Sequence, residues 1–342
     1  MNLHVVLLDK FIPDFIEFMA VNINDWERKN SFWMVGDANK YVVREYENIT
    51  YDETYSIISA WGRLVLSMYR ADKIILHGLF WNRVIFLLAI QPWLLKKSYW
   101  IIWGGDLYRK KPVSVKDWLI ERFRAPVIKR MGHLISYLDE DVRLARHWYG
   151  CNGEYHHSFF YPSNLFKPLL KLEQSSNQLC IQVGNSADPS NNHREVFELL
   201  RSMKLTNFRV ICPLSYGDQS YAQMIKKLGA ECFGDKFTGL MKMVPLDEYT
   251  SFLQNVDIAI FNHERQQAMG NIITLLGFGK KIYMRSNQAP FMFFQKIGVK
   301  VFDINSFDGE KLSSEDLKRN KKLIEDYFSE ENLSAQLSNI FD

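Results

Sequence analysis

The sequence predicts an α/β protein built as two doubly wound domains, each around its own parallel sheet. Three observations carry this expectation. Short apolar runs alternate with helix-like stretches along most of the chain, the signature of repeated βα units. The runs are apolar on both faces, as parallel strands covered by helices must be. Near residue 165 the pattern stops in a polar stretch and then restarts.

In the first half the predicted strands are His4–Leu8, Phe32–Val35, Lys73–Leu76, Tyr99–Trp103 and His133–Tyr137. The stretch from Tyr161-Pro162-Ser163 through Lys167-Pro168 to Ser175-Ser176-Asn177-Gln178 reads as an interdomain linker. Strands follow at Leu179–Val183, Phe208–Cys212, Val256–Phe261 and Lys281–Met284. Helices are expected at Asn192–Met203, Gln219–Leu228 and Leu246–Gln254. The tail from Ser313 reads as helical, with Ser313-Ser314-Glu315-Asp316 as its cap region. The expected division is therefore 1–165 and 178–342, the C-terminal helix belonging to the second domain, with a cleft between the two sheets. At 342 residues the chain is too long for one comfortable core and suits this count.

Hydrophobic residues at 47% and charged residues at 24% are ordinary for a globular protein. A net charge of +3 is too small to argue for nucleic acid. Its distribution is uneven: residues 109–130 hold eight basic and two acidic side chains, a local +6 that leaves the rest at −3. Aromatics interleave with these cations, so the segment reads either as a surface for an anionic membrane or as the solvated face of an amphipathic helix. No targeting segment is expected, since Met1–Leu8 is short, lacks a basic start and ends at Asp9-Lys10. The longest apolar run, Val84–Leu95, is too short to span a bilayer. The four cysteines, Cys151, Cys180, Cys212 and Cys232, are widely spaced and read as reduced, which suits the cytosol.

The chemistry is expected at the carboxyl ends of the strands, where open parallel sheets bind ligands. Three adjacent strand ends of the second domain carry polar, glycine-containing loops. The first is Val183-Gly184-Asn185-Ser186-Ala187-Asp188-Pro189-Ser190-Asn191-Asn192-His193. The second, Cys212-Pro213-Leu214-Ser215-Tyr216-Gly217-Asp218, offers Tyr216 to stack on a base or contact phosphate. The third, Asn262 to Asn271, contains His263, Glu264, Arg265, Gln266, Gln267 and Gly270 just before an apolar helix. A helix N-terminus favours anions and a guanidinium fork fits phosphate oxygens, so Arg265 is the candidate diphosphate contact. In the first domain His77-Gly78 and Trp103-Gly104-Gly105-Asp106-Leu107-Tyr108 follow predicted strands. Asp139-Glu140-Asp141 matches an Asp-x-Asp metal pattern, but acidic residues at a helix start are favoured by the dipole alone. Cys151 with His156-His157 lacks the spacing of a closed zinc site. No obligatory metal or other cofactor is expected.

These residues together resemble glycosyltransferase family 56. The resemblance rests on Val183-Gly184-Asn185-Ser186, on Arg265-Gln266-Gln267 with Gly270, and on His77-Gly78 and Trp103 to Tyr108. It runs from about Ile74 to Met284. It implies the GT-B fold: two Rossmann-like doubly wound domains facing across a cleft, the second holding a nucleotide-sugar and the first an acceptor. It also implies a dTDP-sugar donor, 4-acetamido-4,6-dideoxy-D-galactose or a close relative. The implied acceptor is a polyprenyl-diphosphate-linked glycan at the cytoplasmic face of the bacterial inner membrane, in common-antigen or O-antigen synthesis. On that reading Gly184, Asn185, Ser186, Tyr216, Arg265, Gln266, Gln267, Gly270 and Asn271 serve the donor. Gly78, Trp103, Gly104, Gly105 and Tyr108 lie on the acceptor side, and residues 109–130 meet the membrane. The implied acceptor hydroxyl must lose its proton as the bond forms, and Asp106 and His77, each after a predicted strand, are the candidates to take it. Glu264 and His263 are not in the family's pattern. A nucleotide-sugar epimerase and a silent nucleotide-sugar-binding protein are the alternatives. A dinucleotide oxidoreductase is disfavoured, because the first strand ends in Leu7-Leu8-Asp9-Lys10 and not in a glycine-rich turn.

Overall fold

The computed structural model describes residues 1–52, 58–108, 114–168 and 178–342. The chain divides into two compact units, Met1–Asn164 with Glu330–Asp342, and Leu165–Ser329. Part of the predicted linker, residues 169–177, lies outside the described residues, as do residues 109–113 of the basic segment.

The first unit holds seven parallel strands: β1 (Asn2–Leu7), β2 (Asn30–Val35), β3 (Ile49–Tyr51), β4 (Lys73–His77), β5 (Ser98–Ile101), β6 (His133–Ser136) and β7 (Glu154–His157). Their spatial order is β3-β2-β1-β4-β5-β6-β7. The chain thus builds outward from β1 in one direction, then returns to lay β4 against the other side of β1. That reversal puts the topological switch at the carboxyl ends of β1 and β4, where neighbouring loops diverge and leave a crevice. Ile74, Leu76, Trp100 and Leu134 are buried in the core between sheet and helices.

The second unit repeats the plan with β8 (Leu179–Val183), β9 (Phe208–Pro213), β10 (Phe237–Leu240), β11 (Ile258–Phe261), β12 (Lys281–Met284) and β13 (Phe302–Asp303). The order is β10-β9-β8-β11-β12-β13, so the switch falls between β8 and β11. Ile181, Val183, Val210, Ile258 and Ile260 fill its core. Side chains set the helix starts that the sequence signals. Ser313 Oγ accepts the Asp316 amide ahead of the helix Ser314–Tyr327, and Asp218 accepts the Tyr221 amide ahead of Gln219–Phe233. Each such cap contributes about 1 kcal/mol.

One boundary differs from the sequence expectation. The last helix, Glu330–Phe341, belongs to the first unit and not to 178–342. Asn2 Nδ2 donates to Phe341 O at 3.2 Å, Lys73 Nζ to Ile340 O at 2.6 Å, and the Phe159 amide to Gln336 Oε1 at 3.1 Å. Phe341 also packs edge-on against His4. The first two bonds satisfy orphan carbonyls at the helix C-terminus, which a solvent-exposed tail would leave to water.

Candidate functional site

In the second unit the three predicted loops do converge. Gly184 leaves β8 at φ +67°, and a Cβ there would stand 2.6 Å from Asn191 Oδ1 and 2.8 Å from His193 Nε2. Only glycine meets both demands. Asn191, fully buried, is the hub beside it. Its Oδ1 accepts the Asn185 amide at 3.0 Å and faces His263 Nε2 at 2.9 Å, while its Nδ2 donates to Ser186 Oγ and to Asp188 O. His263 must therefore carry its proton on Nε2. Burial, then the Arg265 charge, lowers its pKa to about 3, so it is a neutral donor. One amide thus ties the loop after β8 to the loop after β11.

The contact layer lies above this hub. Asn185 Nδ2 donates to Tyr216 Oη at 2.6 Å, Gln267 Nε2 reaches Asn185 Oδ1 at 3.4 Å, and Ser190 Oγ donates to Gln267 Oε1 at 2.7 Å. Tyr216 itself stays exposed. Its loop is fixed by Ala187 N–H to Tyr216 O and Asp218 N–H to Ala187 O. Arg265 stands 3.6 Å from Asp188 with its side chain partly exposed. Burial alone would raise the Asp188 carboxyl; hydrogen bonds from Ser190 and the Arg265 charge outweigh it and hold the group below the usual range. Gly270 and Asn271 open the helix Met269–Gly277, whose N-cap Ala268 supplies no side-chain cap. The first-turn amides of a helix end without a side-chain cap are donors suited to an anion. The buried Gln266 Oε1 has no hydrogen-bond partner among the described residues.

Sequence reasoning missed Arg285. It follows β12 directly, donates through Nε to Asn262 Oδ1 at 2.8 Å and pairs with Glu195 at 2.8 Å. With Phe261, His263, Arg265, Gln267 and Gln288 it lines a concavity at this sheet edge. The signal was available, since Arg285 occupies the fourth strand end on the edge already chosen. Asn191 and His193 lie in the loop expected after β8, but nothing in the sequence singled them out from its other polar residues. Glu264 points to Arg285 at 3.7 Å from an exposed position and bonds nothing in the hub.

In the first unit, Asp106 and His77 are not free to meet a substrate as expected. Asp106 is 3% exposed, and its carboxylate accepts from Leu79 N, Trp103 N and Trp100 Nε1 at 3.0, 2.9 and 2.7 Å. Burial raises its pKa against the pull of those bonds. The group braces the loop after β4 against the loop after β5. His77 is buried with both ring nitrogens engaged, Nε2 with His4 Nδ1 at 3.0 Å and Nδ1 with Tyr161 Oη at 2.7 Å. His4 Nε2 in turn faces Asn30 Oδ1 at 3.1 Å, an oxygen that already accepts from Asn2. The protons are fixed by that end: His4 donates to Asn30, His77 to His4, and Tyr161 to His77. Burial lowers His4 to about 4 and His77 well below the usual range, so the whole relay is neutral. Tyr161→Phe, which strips His77 Nδ1 of its donor, is expected to cost about 1–3 kcal/mol in equilibrium unfolding. A variant as stable as the parent would remove the relay from the account of this unit.

Gly78 takes φ +79°, and a Cβ there would strike the Phe80 ring at 2.6 Å. Gly104 and Gly105 shape the turn that lets the Leu107 and Tyr108 amides reach Gly104 O. Trp103 is half-buried, with its ring edge-on to Tyr161. Tyr108 donates to Asp141 Oδ1 at 3.0 Å, and Tyr155 to Asp139 Oδ1 at 2.8 Å. The two carboxylates of the Asp-x-Asp pattern are thus drawn to different tyrosines. Asp9, past β1 at the switch, is half-buried; its Oδ1 accepts the Phe11 amide at 2.8 Å and burial raises its pKa. Among the described residues, His133, Glu154 and His156 form a group able to hold a metal ion, but it sits at the amino-terminal ends of β6 and β7, the edge opposite these loops.

Known proteins bear on this geometry. The family described as 4-alpha-L-fucosyltransferase glycosyl transferase group 56 matches residues 9–326. HepE of Anabaena, solved in complex with UDP, aligns at TM-score 0.69 and 10% identity over 99% of each chain. WaaG, a glycosyltransferase involved in lipopolysaccharide biosynthesis, aligns at 0.61 and 10% over 100% of this chain and 99% of its own. A glycosyltransferase from Rickettsia africae ESF-5 aligns at 0.63 and 13% over 99% and 97%. These neighbours are GT-B glycosyltransferases, and the expected GT-B class of fold holds.

Proposed function

We propose that this chain, which belongs to glycosyl transferase group 56, moves a deoxyamino sugar from dTDP to a polyprenyl-diphosphate-linked glycan. The sugar is 4-acetamido-4,6-dideoxy-D-galactose or a close relative, and the setting is the cytoplasmic face of the bacterial inner membrane during surface polysaccharide synthesis. The observation that carries this reading is the edge of the second sheet, where Arg265, Arg285 and an uncapped helix N-terminus stand around one concavity. Such a set of donors suits a diphosphate.

In this reading the diphosphate rests on the amides of Gly270 and Asn271 with Arg265 as its guanidinium partner. Negative charge grows on the β-phosphate as the sugar leaves, and a fixed cation there lowers the barrier. Arg265, Arg285 and the helix end do this neutralising without an obligatory metal. The exposed Tyr216 ring stacks on the base, and Gln266 and Gln267 fix its edge or the sugar hydroxyls. Asp106 and His77 work by position, holding the loops that carry Gly78, Trp103, Gly104, Gly105 and Tyr108 toward the acceptor. Acceptor deprotonation then falls to Asp9, a half-buried carboxylate with a raised pKa at the switch of the first sheet.

The test incubates the protein with a panel of dTDP- and UDP-sugars, with and without lipid-linked acceptor. Acceptor-dependent release of dTDP is the expected result. Sugar conversion without acceptor would mean an epimerase, and binding without turnover a silent sensor; either overturns the proposal.

A further inference from the structure

Among the described residues, two helices of the first unit leave a broad apolar face exposed. The helix Asn82–Ile90 follows β4 and runs into a 3₁₀ turn, Pro92–Lys97; the helix Val115–Lys129 follows β5 and packs beside it. Both bury one side, the first through Val84, Ile85, Leu87 and Leu88, the second through Val127 and Ile128. Outward they present Phe86, Ile90, Trp93, Trp118, Leu119 and Phe123, each 38–56% exposed. Scattered exposed apolar residues need no explanation, but a contiguous group does. These are contiguous. Phe86 and Ile90 lie one turn apart, as do Leu119 and Phe123, and the Phe86 and Phe123 rings meet edge-on at 5.2 Å. Trp93 Nε1 donates to Tyr69 Oη, which leaves the indole face outward.

The charge around this face is predominantly positive. Residues 82–97 carry Arg83, Lys96 and Lys97 and no acid. The second helix adds Lys116, Arg122, Arg124 and Lys129 against two acids. Asp117 is consumed in the capping box with Ser114, and Glu121 pairs with Arg124 at 3.1 Å. The Arg122 guanidinium lies 5.6 Å from the Trp118 ring, so cation and aromatic face outward together. Indoles and phenyl rings fringed by lysine and arginine match the headgroup layer of an anionic bilayer. Among the described residues no helix is long and apolar enough to cross a membrane, so the match is to its surface.

We infer that this face, formed jointly by residues 82–97 and 115–129, seats the first unit on an anionic lipid bilayer, with the six apolar side chains entering the headgroup boundary. It deepens the lipid-linked acceptor reading and takes its purpose from it, since a polyprenyl chain is anchored in that same layer. The face also relocates the contact expected from residues 109–130 alone, because half of it comes from Phe86, Ile90 and Trp93.

The experiment sediments the purified full chain with phosphatidylglycerol vesicles and with phosphatidylcholine vesicles, without donor or acceptor. Binding to the anionic vesicles is expected, weakened by salt. Lys116→Ala with Arg122→Ala should reduce it about thirtyfold, at roughly 1 kcal/mol per cation. Ile90→Ser, Trp93→Ser, Trp118→Ser and Leu119→Ser together should abolish it, with circular dichroism and melting temperature showing the fold retained. Full binding by that folded variant, or none by the parent chain, overturns the inference. So does a parent dimer that the four substitutions split into monomers without any vesicle binding, which would make the face a contact between copies. Transfer to a soluble short-chain acceptor is run in parallel. If it persists while vesicle binding fails, the membrane face falls and the proposed function stands; vesicle binding without transfer to any acceptor gives the reverse.

Discussion

Replacement of Arg265 by alanine should lower kcat/KM for sugar transfer about a hundredfold or more, with the melting temperature almost unchanged. The two halves of this expectation rest on different parts of the geometry. Among the described residues Arg265 pairs with Asp188 at 3.6 Å, with its side chain about a third exposed. Pairs of that kind contribute at most about 1 kcal/mol to stability. At the reaction centre the same guanidinium is asked to meet charge that develops only as the diphosphate departs. Loss of one such preorganised donor costs about 10²- to 10³-fold in turnover. Arg265→Lys keeps the charge but not the fork, so it should recover only part of the loss. Glu264→Ala serves as the neighbouring control. Its carboxylate is exposed and stands 3.7 Å from Arg285, so transfer should change by less than about threefold. Unchanged transfer by Arg265→Ala, in protein that melts normally, would move the leaving-group role elsewhere, and Arg285 is the next residue to test.

Arg265 was legible because its position follows from two local facts, a buried strand before it and an apolar helix after it. The central strands β1, β4, β5, β8, β11 and β12 were legible for the same reason, since each is buried along most of its length and carries an apolar stretch of sequence. The edge strands were not. Ile49–Tyr51, Glu154–His157, Phe237–Leu240 and Phe302–Asp303 are short and lie half in solvent, so no apolar run marks them. The hub of the donor edge was hidden for another reason. Asn191 and His263 meet across seventy-two positions of sequence, and nothing near either residue says that one will satisfy the other. Asp106 misled because its setting, a glycine-rich turn after a strand, is also where a catalytic carboxylate would sit. Only the three donors around it show that the turn uses it as a brace. The last helix was misassigned because its docking is set by carbonyls that Asn2 and Lys73 reach from the far end of the chain.

The largest expected effect on stability belongs to Asp141. This carboxyl is fully buried, accepts one bond from Tyr108, and leaves Oδ2 without a partner among the described residues. Burial raises its pKa to about 7 against the Tyr108 bond, with the charges of Asp106 and Glu140 adding to the rise. In the unfolded chain an aspartate titrates near 3.9. Between about pH 4 and pH 7 the folded first unit therefore holds a proton that the unfolded chain has released. Its stability contribution is complete below that window and declines as pH rises through it. A shift of this size corresponds to a few kcal/mol at most, about 1.4 per pH unit of window. The buried histidines act in the opposite sense. His4 and His193, both lowered to about 4 by burial, and His263, lowered to about 3, make the fold lose stability as pH falls below 6.5. The raw pH curve thus mixes both slopes, and the informative quantity is the difference between parent and Asp141→Asn. Asparagine mimics the protonated acid, can still accept from Tyr108, and cannot ionise. Thermal unfolding from pH 4.5 to pH 8.5 should show the two chains close together at the acid end and the variant more stable by a few kcal/mol at the alkaline end. A constant offset across the range would mean that Asp141 does not hold its proton in the fold. The buried carboxylate would then have to find its second partner elsewhere.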